Sequence, residues 1–229
     1  MDVQRELVDK GCLFLNTGNQ FIGNSGMHLT GYCNVDPLLP HIRRLQEITW
    51  MMVEPFADEG VEAVLHAAVG AIPLGTLATE QLIDTTGIDV TSVFADKKEP
   101  EGQELSRNGF FEALVGRRVL ILDGMVNTQF TYQQLLGIAM EADCEVVGMT
   151  AIAANLGVNQ KSLGVPKFRK LSKAYYEAWD KEDCLRNGPC AKGMPIVVDK
   201  PLGHGYAYRK KHPNQDIKYV NLLGDSAAS

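Results

Sequence analysis

Residues 119–131, VLILDGMVNTQFT, constrain the fold more than any other stretch of this chain. Val119, Leu120, Ile121 and Leu122 form an apolar run too continuous for a strand with one wet face. They read as a strand buried on both faces, as in a parallel sheet. Asp123 ends that run, a small and polar segment with Gly124, Asn127 and Thr128 follows, and helix-compatible residues resume over 132–142. In open α/β sheets such a strand-to-helix turn is where ligands bind, because the helix start offers free N–H groups and a favourable dipole to an anion.

Similar units recur along the chain. Residues 61–71 read as a second buried strand running into a Gly-containing loop, with a helix over 72–82; residues 90–95 and 145–153 read as two further strands. Ile42, Leu45, Ile48, Met51, Met52 and Phe56 have helical spacing, so a helix is expected over 41–59, kinked or ended by Pro55. Strands alternating with helices imply a parallel sheet with helices on its faces. A short amphipathic helix is expected over 2–10, and residues 11–39, where apolar pairs alternate with Gly and Asn, suggest short extended segments joined by turns. Residues 96–109 are charged and turn-rich and read as a mobile loop; a short helix is expected to end at Trp179, and the polar tail 210–229 to fray.

Composition removes several classes of function. At 229 residues, the chain fits one α/β domain with additions, and no apolar run approaches the roughly 18 to 20 residues of a membrane span. The first residues lack the basic-then-apolar form of a signal peptide, so a cytoplasmic protein with no membrane partner is expected. A net charge of −6 disfavours a nucleic-acid partner, which would need a basic face. Five cysteines, an odd number spread along the chain, do not make a secreted disulfide framework; Cys12, Cys33 and Cys144 read as core residues. Five residues separate Cys184 from Cys190, a spacing wider than a zinc knuckle's, and although His204 and His212 lie downstream no metal site is expected there. No G-x-G-x-x-G follows a strand, which disfavours a nucleotide-dependent dehydrogenase.

Residues 119–131 also resemble the phosphoribosyl-pyrophosphate (PRPP) signature of type I phosphoribosyltransferases, in which four apolar residues lead into two acids and a Thr/Gly-rich turn. Asp123 stands in the first acidic place and Gly124 in the second. Asn127, Thr128 and Thr131 supply amide or hydroxyl donors, while Gln129 and Phe130 replace small residues of the turn. The segment AAVGAIPLGTLA, with Ala67, Ala68, Val69, Gly70 and Ala71, resembles the pyrophosphate loop of the same family. Phe21, Ser25, Gly26, His28 and Tyr32 resemble the N-terminal hood of orotate phosphoribosyltransferases. Where that family places an arginine against the orotate carboxylate, this sequence has Asn155 or Leu156. The segment with Cys184 and Cys190 resembles the C-terminal extension of a bacterial orotate phosphoribosyltransferase-like subgroup, so that by order of segments the resemblance covers roughly residues 10–205.

The resemblance implies an α/β, Rossmann-like type I phosphoribosyltransferase fold with a small hood, divided as hood 1–40, core 41–180 and C-terminal extension 181–229. It implies transfer of a phosphoribosyl group from PRPP to a nitrogenous base such as a pyrimidine, with Mg²⁺ carried by PRPP, in a homodimer serving pyrimidine biosynthesis. Ala68, Val69, Gly70, Ala71, Asp123, Asn127, Thr128, Gln129 and Thr131 would bind PRPP, and Asp123 with Lys97 or Lys98 would serve the reaction. Ser25, His28, Tyr32 and Asn155 would meet the base. Two alternatives stay open: His28 as a solvated residue of a plain β-hairpin, and Lys97, Lys98 and Arg107 as charges of an ordinary loop. So does a non-catalytic homologue that binds a nucleotide or PRPP as a sensor, or has a structural role.

Overall fold

The computed structural model describes residues 2–23, 25–98, 102–155 and 157–223. Among them, in chain order, are helix α1 (Val3–Asp9), four two-residue strands β1 (Leu13–Phe14), β2 (Phe21–Ile22), β3 (His28–Leu29) and β4 (Tyr32–Cys33), and helix α2 (Ile42–Val53). Strand β5 (Ala63–Ala67), helix α3 (Ile72–Thr86), strands β6 (Thr91–Lys97), β7 (Gln103–Glu104) and β8 (Arg118–Val126), helix α4 (Phe130–Glu141) and strand β9 (Glu145–Asn155) follow. The remainder is α5 (Gln160–Leu163), β10 (Phe168–Ala174), β11 (Ala178–Trp179), α6 (Lys181–Arg186), β12 (Ile196–Val197), α7 (Gly205–Lys211) and β13 (Tyr219–Val220). They form two compact units, one of Met1–Cys12 with Val35–Lys173 and one of Leu13–Asn34 with Ala174–Ser229.

The first unit is built on a six-stranded sheet in the order β10-β9-β8-β5-β6-β7. Strands β9, β8, β5 and β6 are parallel, with Leu65 of β5 opposite Ile121 of β8 and Val93 of β6. Val119, Leu120, Ile121 and Leu122 are all fully buried, as a run apolar on both faces requires. Each such side chain contributes about 1.5–3 kcal/mol by leaving water. Two strand–helix–strand crossovers, β5-α3-β6 and β8-α4-β9, bring the carboxyl ends of β5 and β8 side by side. Helix α2 stops at Val53, and Pro55 falls in the 3-10 turn Glu54–Glu59, since proline lacks the N–H that would continue an α-helix.

Several sequence expectations are corrected here. Strand β8 does not end at Asp123: Met125 and Val126 still pair with Ala153 and Ala154 of β9, so Asp123 and Gly124 lie inside the strand. Part of the expected loop 96–109 is paired, with Asp96 opposite Glu104 and Lys97 opposite Gln103; residues 99–101 lie outside the described residues. In place of the helix expected before Trp179 stand two strands of different sheets, β10 beside β9 and β11 beside β3. The tail pairs up to Val220, because β13 runs parallel to β12; residues 224–229 lie outside the described residues.

The second unit joins two parts of the chain that the sequence places at opposite ends. Strand β3 pairs antiparallel with both β2 and β11, β1 pairs with β4, and Gln20 bridges to Ile196. Phe21, Leu29, Val197 and Leu202 form one buried cluster, Ile22, Ile196 and Tyr208 another. A hood at 1–40 and a separate extension from 181 therefore differ from the observed units: strands of two residues are not stable alone, and they complete one another. Among the described residues no helix is long and apolar enough to cross a membrane.

Candidate functional site

The first unit carries two strand-to-helix turns next to one another. At the end of β5, residues 68–71 lead into α3, which begins with Ile72 and Pro73 and has no side-chain cap. The Ala68 N–H donates to the Ala95 carbonyl at 2.8 Å, and the Ala68–Val69 peptide is cis. Among the described residues no backbone acceptor takes the N–H groups of Val69, Gly70 or Ala71. Val69 is 74% exposed at the tip. Three consecutive N–H groups without a backbone acceptor, at the start of a 15-residue helix, suit an anion. One carboxylate stands against this: a Cβ at Gly70 would lie 3.3 Å from Oδ1 of Asp36.

One strand over, Asp123 keeps part of its surface accessible, and its Oδ1 accepts the Gly124 N–H at 2.7 Å. Burial pushes its carboxyl up to about 6, against the pull of the Gly124 and Met125 N–H groups. Gly124 is buried, and a Cβ there would meet Val35 Cγ2 at 2.7 Å and Leu74 Cδ1 at 3.7 Å. A second carboxylate at this place has no room.

The turn after β8 is tied to the end of β9, where Asn155 Nδ2 donates to Asn127 Oδ1 at 2.9 Å. Gln129 adopts a left-handed backbone, φ +66°, and caps α4 with no side-chain bond. Its Nε2 reaches Ser162 Oγ at 3.4 Å. The Gln129 side chain thus takes none of the first-turn N–H groups of this 12-residue helix, and Thr128, Phe130 and Thr131 beside them are half-buried. Phe130 is not among the core residues.

Lys97 and Lys98 are both exposed at the end of β6; Lys98 faces Glu104 at 4.0 Å. Arg107 pairs with Asp96 at 3.2 Å and lies 4.7 Å over the Phe94 ring. Asp96 also accepts the Ser106 hydroxyl; that bond and the Arg107 guanidinium hold its carboxyl below the usual range. Buried His66 has Nε2 3.0 Å from Ser92 Oγ and is pushed down to about 4 by burial.

The residues expected to meet the base divide between the two units. Asn155 belongs to the first, whereas Ser25, His28 and Tyr32 belong to the second; Leu156 lies outside the described residues. Ser25 is half-buried, and Tyr32 stacks on Phe21 with ring centroids 5.5 Å apart. His28 is corrected: its ring is 0% exposed, bonded at Nδ1 to Gln20 Oε1 at 2.8 Å, edge-on to Tyr208 and pushed down to about 4 by burial, so it presents no surface to a base. Nor is it a solvated hairpin residue. Instead its Nδ1 lies 3.4 Å from Cys190 Sγ, and the ligand atoms of His28, Cys184 and Cys190 all lie within 4.8 Å of one another. The group beside the two cysteines comes from β3 and is neither His204 nor His212, a proximity that the Cys184–Cys190 spacing alone does not show. Asp36, Val35 and Gln20 carry no local signal in the sequence, since each acts through residues far from it in the chain.

A parallel sheet with two adjacent strand-to-helix turns at its carboxyl edge puts those turns where open α/β sheets bind their ligands. The fold is that of the type I phosphoribosyltransferases, and in sequence the chain is orotate phosphoribosyltransferase-like. The crystal structure of orotate phosphoribosyltransferase from Aeropyrum pernix matches 81% of this chain and 97% of its own, with a TM-score of 0.55 at 14% identity. An orotate phosphoribosyltransferase of Chlorobium phaeobacteroides is 26% identical over 188 residues, 80% of this chain and 90% of that protein. The transcriptional regulator GfcR of Methanocorpusculum labreanum is 28% identical over 111 residues, 48% of this chain and 54% of its own. No family model matches the chain.

Proposed function

We propose that this chain transfers a phosphoribosyl group from PRPP to a nitrogenous base such as a pyrimidine, releasing pyrophosphate. The observation that carries this reading is the row of N–H groups without a backbone acceptor at Val69, Gly70 and Ala71, one strand over from a part-exposed Asp123. In this reading the 68–71 turn takes the pyrophosphate and Asp123 accepts the ribose hydroxyls. Asn127, Thr128, Gln129 and Thr131 at the start of α4 hold the 5′-phosphate. Lys97 or Lys98 offsets charge on the departing pyrophosphate. In the first unit, Asn155 is left to meet the base. Phosphoribosyl transfer passes through an oxocarbenium-like state, so positioning and electrostatics supply the catalysis and no acid–base pair is required.

Mg²⁺ entering with PRPP fits the oxygen donors at hand, the carboxylates of Asp123 and Asp36. When bound it supplies neutralisation of pyrophosphate charge. The residues of the chain orient the sugar and hold its phosphates.

A sensor that binds PRPP or a nucleotide without turnover is favoured by one observation, the closure of Gly124 against Val35, which leaves a single acid where the signature has two. Titration calorimetry of PRPP with and without Mg²⁺, followed by pyrophosphate release with a panel of bases that includes orotate, separates the two. Heat with turnover supports the transferase, and heat without turnover supports the sensor. No heat under either condition overturns both.

A further inference from the structure

We propose that Cys184, Cys190 and His28, with the amide oxygen of Gln20 as fourth ligand, form a structural zinc site in the second unit. The ligand atoms of His28, Cys184 and Cys190 already lie within 4.8 Å of one another, and the Gln20 amide oxygen stands beside both sulfurs. Gln20 Oε1 is 3.6 Å from Cys184 Sγ and 3.5 Å from Cys190 Sγ, and His28 Nδ1 is 3.4 Å from Cys190 Sγ. Tetrahedral zinc with Zn–S near 2.3 Å and Zn–N near 2.0–2.1 Å sets its ligand atoms roughly 3.3–3.8 Å apart. The one short edge, 2.8 Å from His28 Nδ1 to Gln20 Oε1, needs to open by about half an ångström for an ion to sit between them.

The surroundings hold these donors in place. Gln20 is 0% exposed; its Nε2 donates to the Met194 carbonyl at 2.6 Å and also lies 3.5 Å from Cys190 Sγ, so the amide is held beside the sulfurs with Oε1 next to Cys184 as well. Its own backbone is clamped to Pro195 and Val197. The Cys190 N–H donates to Cys184 Sγ at 3.2 Å, a bond that a thiolate accepts better than a thiol. Between the cysteines the chain passes so tightly that a Cβ on Gly188 would lie 2.7 Å from Cys184 Cα and 2.9 Å from Trp179. His28 rides on β3, which pairs with β2 and β11.

Two sulfurs and an imidazole suit a borderline-soft cation rather than Mg²⁺, and the buried setting suits a closed, structural site. The need for one is physical: among the described residues, the strands of the second unit, β1 to β4 and β11 to β13, are each two residues long. An ion bridging residues 20 and 28 to residues 184 and 190 fastens its two chain segments together, and its binding energy becomes folding energy.

The test is elemental analysis of the full chain, expressed without a polyhistidine tag in zinc-supplemented medium and freed of loose metal by gel filtration. About one zinc per chain is expected, released when the thiols are blocked, and Co²⁺ loading should give thiolate-to-cobalt charge-transfer absorption. Cys190→Ser and His28→Ala should each lower the zinc content at least fivefold, while Cys33→Ser, in the same unit but outside the cluster, should retain it. Wild-type protein that holds no zinc and shows a Cys184–Cys190 disulfide, or two thiols that react freely in the presence of zinc, would overturn the proposal. That result is read on the parent chain and does not depend on any variant folding.

Discussion

A Cβ on Gly124 would lie 2.7 Å from Cγ2 of Val35, closer than side-chain carbons come in a packed interior. The missing second acid of the signature is therefore a packing fact: Val35 occupies the volume it would need. Gly124→Asp should destabilise the chain by about 1–3 kcal/mol, the usual cost of overpacking, with further loss from an unpaired buried charge. Combined with Val35→Ala, the same substitution should recover part of that loss and tighten PRPP binding in the presence of Mg²⁺. Urea unfolding and calorimetry on both variants check this. Equal destabilisation with and without Val35→Ala would mean that Val35 is not the obstacle.

Asp123 is raised from its ordinary 3.8 to about 6, chiefly by burial. A native carboxyl above its unfolded value binds an extra proton between about pH 4 and 6, so its contribution to stability is present below that window and lost as pH rises through it. Asp123→Asn should remove the loss. At pH 8 the variant should be more stable than the parent by up to about 2–3 kcal/mol, and at pH 4 nearly equal to it. Binding runs the other way, because only the ionised group accepts both ribose hydroxyls strongly: PRPP affinity should rise through pH 6 in the parent, and more steeply than in Asp123→Asn. Asp123→Asn should also weaken PRPP more than Lys98→Ala does. The reverse ranking would remove Asp123 from the sugar site.

How much of this could be read in advance follows the range of the interactions involved. The strands around Leu65, Ile121 and Met149 show in the sequence because strands buried on both faces are apolar along most of their length, and β6 shows by the apolar residues Val93, Phe94 and Ala95 at its centre. The hairpin of β6 and β7 does not show, since Lys97 and Gln103 pair through the backbone while their polar side chains look like a loop. The continuation of β8 past Asp123 is set by alanines of β9, not by its own residues. His28 resembled a base-facing residue because its neighbours Ser25 and Tyr32 fit that pattern. What buries it, Gln20 and the two cysteines, comes partly from more than 150 positions away.

Asn155 Nδ2 bonds Asn127 Oδ1 across the ends of β9 and β8, and Asn155 is 5% exposed. Removing Asn155 takes this donor from Asn127 Oδ1. Asn155→Ala should cost about 1–3 kcal/mol in stability and loosen the turn that precedes α4. A double-mutant cycle with Asn127→Ala should show coupling of about 0.5–1.5 kcal/mol. If the turn holds the 5′-phosphate, ribose 5-phosphate should bind several-fold more weakly to either single variant. Unchanged binding with the full stability loss would make the pair a structural tie only.

Asp36 stands beside Gly70 in the turn that the transferase reading gives to pyrophosphate, so a fixed negative charge faces the place of an anion. At a separation of roughly 5 Å near the surface, two unit charges interact by about 1 kcal/mol in water and more where the protein excludes it. Without Mg²⁺, Asp36→Asn should therefore tighten pyrophosphate binding about three- to tenfold at low ionic strength. The gain should shrink with added salt, because exposed charges are screened within about 8–10 Å at physiological strength. With Mg²⁺ present the sign should weaken or reverse, since the carboxylate then faces a cation carried by the ligand. Calorimetric titrations of parent and variant in chelator, in Mg²⁺ and across a salt series measure all three. An affinity for pyrophosphate that Asp36→Asn leaves untouched at low salt would mean that the anion does not enter the Val69–Ala71 turn, and with it the transferase geometry would fail.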